Sequence, residues 1–238
     1  EFTRWVQSKY KFLRTDKSNF PLMVHNIFDY LVRQKENSKI ALIVLDGMSL
    51  SQWFLIREVM RKTKPQIKDD TNTIFAWIPT ITSISRLSIF SGSEPFMLKD
   101  SLFKKNKEEK NWQTKWIDDG DLKKDQIFYK TNTEVWKADQ FEEIPFDSKD
   151  VLGLVINTID KKMHSATGGM KELLTETENW SKNSNFFDFL EKLFENDFQV
   201  FITSDHGNIE AMGIGVPESD FAKEKGRRAR IYSNEQSM

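Results

Sequence analysis

The chain has 238 residues, and 35 Lys and Arg against 36 Asp and Glu give it a formal net charge of −1. This balance provides neither a strong basic field that favours nucleic acid nor an acidic excess that opposes it. Cysteine is absent, which excludes disulfides and thiolate zinc sites and leaves His and carboxylates as ligands for any metal. No apolar run approaches the ~20 residues that span a bilayer, and no signal peptide is recognisable, so we expect a cytoplasmic protein.

The first 38 residues predict a helical arm or linker ahead of the main domain. Apolar residues from Met23 to Leu31 recur at helical spacing, so residues 20–35 are predicted to form an amphipathic helix. His25 lies in that helix and is more typical of a packing or surface residue than of a ligand. We predict a core domain over residues 39–238, with an insertion or lid at about 97–150.

The core domain begins with the apolar, β-branched run of residues 40–45, which is typical of a parallel strand buried on both faces. It ends in Asp46-Gly47, and a helix is predicted to follow. A second run, residues 73–78, is also predicted as a strand of the sheet. It leads into the hydroxyl-rich stretch from Pro79 to Arg86, where a helix is predicted to begin. Taken alone, hydroxyls at such a place are typical of helix caps.

The predicted insertion is highly charged between residues 104 and 110, which we interpret as a solvated face. Trp112 and Trp116 are expected to anchor it, and residues 127–129 are a candidate short strand.

Two further buried strands are predicted downstream, and each is followed by ligand-type residues. Residues 151–156 precede Asp160 and His164, which are four positions apart and able to converge on one ion. Residues 198–203 precede the adjacent pair Asp205-His206. A strongly amphipathic helix at 184–196 separates the two strands. Because strands alternate with helices, we predict an α/β fold with a mostly parallel sheet flanked by helices.

The predicted ligands share one edge of this sheet, since the carboxyl ends of parallel strands meet there. Carboxylates and imidazoles close to a hydroxyl are what a two-metal phosphoryl-transfer site requires. Such ligands without thiolates suit Zn²⁺, with Mn²⁺ as the alternative. The candidate metal ligands are Asp46, Thr82, Asp160, His164, Asp205 and His206.

The order of these motifs resembles that of the alkaline phosphatase superfamily. Within it, the stretch Pro79–Arg86, Ser91-Gly92 and Lys225-Gly-Arg-Arg228 are similar to the PglZ branch, known from BREX phage-defence systems and PorX-type response regulators. Thr82 to Arg86 also resembles the Cys-x-Pro-Ser-Arg segment of sulfatases, in which the first residue attacks. The resemblance therefore implies Thr82 as nucleophile, with Thr80 as second choice, and Arg86 as a further catalytic residue. Because sulfatases need Cys or Ser at the attacking position, Thr82 argues against sulfatase activity.

The resemblance also implies how the two metals are divided. It gives one metal to Asp46, Thr82, Asp205 and His206, and the other to Asp160 and His164. Arg227 and Arg228 are expected to bind substrate.

The superfamily usually supplies a further His to the second metal, and none follows His206. The chain also opens on Glu1 and stops abruptly at Met238. We therefore expect a piece of a longer protein, with a second metal site that binds weakly.

The function expected from this resemblance is a phosphodiesterase or nuclease that acts on nucleic acid or oligonucleotide alongside other phage-defence proteins. Two alternatives stay open: a phosphomonoesterase, and a catalytically silent metal-binding module of a defence complex.

Overall fold

Four parallel strands form the sheet at the centre of residues 1–208. They lie in the order β2-β3-β1-β4, and every neighbouring pair is parallel. The strands are β1 (Lys39–Leu45), β2 (Ile127–Thr133), β3 (Val151–Ile156) and β4 (Phe198–Thr203). In the register of the sheet, Ile43 lies between Leu154 and Ile202. The predicted α/β class and the predicted strands at 40–45, 127–129, 151–156 and 198–203 are confirmed.

The structure is a computed structural model that describes residues 1–14, 18–98, 107–133, 143–213, 215, 222–225 and 230–232. Within these ranges eight α-helices occur. They are α1 (Phe2–Lys9), α2 (Ile27–Gln34), α3 (Leu50–Thr63), α4 (Thr82–Ser91), α5 (Lys107–Asp118), α6 (Thr158–Ser165), α7 (Gly169–Asn183) and α8 (Phe186–Glu195). No helix in these ranges has the length and apolar character needed to span a membrane.

The two faces of the sheet each carry a hydrophobic core, because alternate side chains of a strand point to opposite faces. Ala41, Ile43 and Leu45 of β1 pack in one cluster with residues of α3, α7 and α8. Ile40, Leu42 and Val44 pack in the other with residues of α2, α4 and α5. The helices therefore cover both faces, and all positions from Ile40 to Leu45 are buried.

The predicted anchorage of residues 107–118 is confirmed in the second core. Trp112 and Trp116 are fully buried, and the Trp112 Nε1–H donates to the Phe128 carbonyl at 3.1 Å. Gly153 in β3 makes this packing possible, since a Cβ atom there would lie 2.9 Å from the Trp112 indole. The glycine in an otherwise apolar run is thus explained by close approach of the indole to the sheet.

The prediction of a sheet strand at 73–78 is wrong. This segment makes one isolated parallel bridge, between Met23 and Phe75, outside the four-stranded sheet. Two further backbone groups of this segment find a side-chain partner, because the Tyr10 hydroxyl donates to the Ala76 carbonyl at 2.6 Å and accepts from the Ile78 N–H at 3.1 Å. An apolar run can satisfy its backbone in this way without joining a sheet.

Two further predictions can be compared with the described residues. The helix predicted at 20–35 occurs as α2 after a short 3₁₀ turn at Val24–Asn26. His25 lies in this turn and is buried. The helix predicted at 184–196 is α8. The boundaries of the arm at 1–38, the core at 39–238 and the insertion at 97–150 stay predictions.

Residues 209–238 form a second compact unit. Its described part contains an antiparallel pair, β5 (Ala222–Lys225) and β6 (Arg230–Tyr232).

Candidate metal and catalytic site

Three buried ligand-type residues meet at the carboxyl edge of the neighbouring strands β1 and β4. Asp46 directly follows β1, and Asp205 and His206 follow β4 after one intervening residue. One ligand atom from each residue lies within 4.8 Å of those from the other two, and none of the three side chains is appreciably exposed. The shared edge predicted from the sequence therefore brings these residues together.

Each of the two carboxylates has one oxygen engaged in hydrogen bonds and one without a partner in the described parts of the chain. Asp46 Oδ2 accepts from Arg86 Nη1 at 2.7 Å and from Asn157 Nδ2 at 2.9 Å, while its Oδ1 is buried without a donor. Asp205 Oδ1 accepts from the backbone N–H groups of Gly47 and His206, at 3.0 and 2.9 Å. Asp205 Oδ2 has no donor and lies 3.9 Å from His206 Nε2.

The electrostatics of this cluster disfavour the ionisation of both Asp46 and Asp205. Burial raises the pKa of Asp46 to about 7, the negative charge of Asp205 adds to the rise, and Arg86 opposes it. Burial also raises the pKa of Asp205, although hydrogen bonds from the Gly47 and His206 backbone oppose the shift. Two acids that resist ionisation because they are buried together are stabilised as anions when a cation lies between them. Two free carboxylate oxygens and an imidazole nitrogen therefore fit a divalent metal ion.

Thr82 joins this cluster from the first position of α4. Its Oγ1 lies 2.9 Å from His206 Nε2. His206 Nδ1 lies 2.8 Å from the Gly207 carbonyl oxygen, which can only accept, so Nδ1 carries a proton and, in the neutral imidazole, Nε2 is the acceptor. The Thr82 hydroxyl consequently donates to Nε2. Thr80 is exposed and makes no described hydrogen bond to these residues.

Arg86 lies one helical turn beyond Thr82 and joins two carboxylates. Besides its bond to Asp46, its Nε donates to Glu108 Oε1 at 2.8 Å, and Glu108 Oε2 accepts from the Tyr129 hydroxyl at 2.6 Å.

Sequence reasoning missed Glu108, Tyr129 and Asn157. Asn157 could have been found, because it directly follows β3 at the same sheet edge, whereas Glu108 belongs to the charged run that we interpreted as solvated.

Asp160 and His164 lie one helical turn apart on α6, with Asp160 Oδ1 3.4 Å from His164 Nε2. Asp160 borders the first cluster: a Cβ atom added at Gly47 would lie 3.5 Å from Asp160 Oδ1 and 3.7 Å from His206 Cε1. The His164 side chain is 65% exposed. The pair is therefore next to the buried cluster but more open to solvent. Arg227 and Arg228 lie outside the described residues.

Hydrogen bonds between the ends of β1 and β4 hold the loop that carries Asp46. The Ser204 hydroxyl donates to the Leu45 carbonyl at 2.9 Å. Asn208 Nδ2 donates to the Gly47 carbonyl at 2.7 Å and to Gln52 Oε1 at 2.6 Å. Gly47 has φ +69°, a left-handed conformation that glycine adopts without strain. This loop geometry lets the Gly47 N–H donate its hydrogen bond to Asp205 Oδ1.

A parallel α/β sheet that gathers carboxylates, an imidazole and a hydroxyl at its carboxyl edge is the arrangement expected of an alkaline-phosphatase-like domain. The match to a family model is more specific. Residues 23–234 match the BREX system PglZ alkaline phosphatase-like domain, and the chain belongs to this PglZ family. No curated protein matches the chain in a sequence comparison. Family membership and the buried Asp46/Asp205/His206 group indicate a phosphoester hydrolase that uses a divalent metal.

Proposed function

We propose that this chain is a phosphodiesterase that cleaves nucleic acid or oligonucleotide with Thr82 as nucleophile. The observation that carries the proposal is the 2.9 Å contact between Thr82 Oγ1 and His206 Nε2, at the border of a buried pair of unsatisfied carboxylates. A hydroxyl that caps a helix only has to bind a backbone N–H group. A hydroxyl that attacks phosphorus has to be activated by a neighbouring base or metal ion.

The residues proposed to hold the metals form two sets. Asp46, Thr82, Asp205 and His206 would hold the first ion, and Asp160 with His164 would contribute to the second. We propose Zn²⁺, with Mn²⁺ as the alternative, because the donors are imidazole and carboxylate. Ions in these positions would lower the pKa of the Thr82 hydroxyl and offset the negative charge of the phosphoryl oxygens.

In the proposed reaction, Thr82 Oγ loses its proton and forms a bond to phosphorus. The bond from phosphorus to the leaving alcohol oxygen breaks, and that oxygen takes up a proton. A phosphothreonine diester remains, and water then hydrolyses it to return the Thr82 hydroxyl and release the second product. Arg86 Nη1 and Asn157 Nδ2 both hold Asp46 Oδ2, so these two residues orient Asp46 throughout.

Several wider assignments are part of the same proposal. The BREX description of the family supports action in phage defence with other proteins of the system. We propose that this action takes place in the cytoplasm. Arg227 and Arg228 are proposed to bind substrate, and residues 97–150 are proposed as an insertion over the core. A phosphomonoesterase is the second candidate, because Arg86 adjoins the nucleophile and could bind a dianion. A silent metal-binding module is the third, because Asp160 and His164 supply only two protein ligands.

The test compares Thr82→Ala with the matched variant Thr80→Ala on a chromogenic phosphodiester and a chromogenic phosphomonoester. We expect Thr82→Ala to lower turnover about a thousandfold or more, because the nucleophile is lost, and to retain at least one metal ion. Thr80→Ala should have a much smaller effect. Mass spectrometry of rapidly quenched wild-type enzyme should find the phosphoryl adduct on Thr82. Equal losses of turnover in Thr82→Ala and Thr80→Ala, or a phosphoryl adduct on Thr80, would show that the nucleophile is misassigned.

A further inference from the structure

The guanidinium of Arg86 is in contact with two carboxyl groups, those of Asp46 and Glu108. Its Nη1 lies 2.7 Å from Asp46 Oδ2 and its Nε lies 2.8 Å from Glu108 Oε1. Both carboxylates are largely shielded from solvent, with side-chain exposures of 3% for Asp46 and 20% for Glu108. At such distances and burial, each carboxylate offsets a large part of the guanidinium's field.

Arg86 is nevertheless placed to contact a substrate. It follows Thr82 by four residues in α4, so both side chains lie on the same face of the helix. Three of its five N–H groups have no partner among the residues described. These groups can donate hydrogen bonds to a phosphoryl oxygen, but the positive charge behind them is already balanced.

Glu108 is held in place by contacts that do not depend on Arg86. The Tyr129 hydroxyl donates to its other carboxylate oxygen at 2.6 Å. Its helix α5 is anchored by Trp112 and Trp116, both fully buried. An acid fixed in this way offsets the charge of Arg86 whether or not a substrate is present.

We propose that Glu108 sets the charge preference of the site, and that by neutralising Arg86 it favours phosphoryl groups with one negative charge over those with two. A phosphodiester carries one negative charge, whereas a monoester carries nearly two above pH 7. The second negative charge of a monoester adds more binding energy at an uncompensated guanidinium than at one that a carboxylate already neutralises. Glu108 is a positioning and specificity residue that touches Arg86 and not the substrate. This inference rests on the proposed phosphoesterase function and specifies its substrate class.

The experiment compares wild type with Glu108→Gln, which removes the charge and keeps the shape of the side chain. Tyr129→Phe weakens the orientation of Glu108 but keeps its charge, and Glu191→Gln removes an acid that pairs with Lys64 through a partly exposed contact. Each protein is saturated with Mn²⁺ or Zn²⁺, and its metal content is measured first. Two quantities are then determined at about pH 8: kcat/KM for a matched monoester and diester, and the Kd of inorganic phosphate by calorimetry.

We expect Glu108→Gln to raise the monoester-to-diester ratio of kcat/KM by about tenfold and to tighten phosphate binding by a similar factor. Tyr129→Phe should change the kcat/KM ratio and the phosphate Kd in the same direction but by less, and Glu191→Gln should change neither. An unchanged ratio and an unchanged phosphate Kd in Glu108→Gln would overturn the inference. If no variant hydrolyses either ester, the proposed function fails, and phosphate binding alone decides the inference: tighter binding to Glu108→Gln supports it and equal binding overturns it.

Discussion

The buried acids Asp46 and Asp205 predict that the protein loses stability as the pH rises, and that a divalent cation makes this loss smaller. In the cation-free protein the pKa of Asp46 is raised from 3.8 to about 7. The folded state therefore binds this proton more tightly than the unfolded state does. The resulting stabilisation is full at low pH and is lost as the pH rises from about 4 through about 7.

The size of this effect follows from the shift. A difference of about 3 pKa units at 1.36 kcal/mol per unit gives a loss of about 4 kcal/mol in the free energy of unfolding. Asp205 is also buried with a raised pKa, and it affects stability in the same direction. With a divalent cation present this loss becomes smaller, because the cation competes with the proton for the carboxylates and stabilises them as anions. At a cation concentration one hundred times the Kd, binding adds about 2.7 kcal/mol.

Urea unfolding in EDTA and in Zn²⁺ or Mn²⁺, at about pH 4 and about pH 8, measures both effects. The Asp46→Asn variant should lose the part of the pH dependence in EDTA that Asp46 contributes, should keep the part due to Asp205, and should be more stable than wild type at the higher pH. Asp188→Asn removes an exposed acid that pairs with Lys64, and it is the matched control with the wild-type profile. The reasoning is refuted if the cation-free wild type is equally stable at both pH values, or if Asp46→Asn retains the wild-type slope.

Three further predictions concern single residues. Asp205→Ala should abolish tight metal binding measured by calorimetry, whereas His164→Ala should weaken only the second, looser ion, because His164 is largely exposed. Gly47→Ala should cost about 1 kcal/mol in urea unfolding and weaken metal binding, since alanine disfavours φ +69° and strain in this loop would displace the Gly47 N–H that holds Asp205. Trp112→Ala should cost about 3–5 kcal/mol because the indole is fully buried. Wild-type values in any of these measurements would contradict the corresponding assignment.

The strands that position the candidate site were predictable because their sequences leave few alternatives. Residues 40–45 and 151–156 are continuous apolar runs, and the structure buries both on two faces of the sheet. Continuous β-branched runs of this kind are typical of central parallel strands, so the carboxyl edge and the residues that follow it are predicted together. For this reason Asp46 was placed correctly beside Asp205 and His206 from the sequence.

The segment around Phe75 was predicted wrongly because its structure depends on a distant side chain. The Tyr10 hydroxyl binds the backbone at Ala76 and Ile78, and residues 22–24 pair with Phe75. Nothing within residues 73–78 distinguishes this arrangement from a sheet strand. The contact of Glu108 with Arg86 was missed for a similar reason. It joins two helices through a charged stretch whose composition is typical of a solvated surface.

The register of the sheet connects the fold to the chemistry of the site. Pairing with β3 continues one residue beyond β1, because the Asp46 N–H donates to the Ile156 carbonyl at 3.0 Å. This places Asp46 beside Asn157, which follows Ile156, while Val44 pairs with Thr203 on the other side. A slip of one residue would turn the Asp46 side chain to the opposite face of the sheet and exchange the two cores. The packing of alternate β1 side chains into two different cores therefore keeps Asp46 next to Asp205, and an electrostatically unfavourable carboxylate pair is maintained by apolar packing on both faces of the sheet.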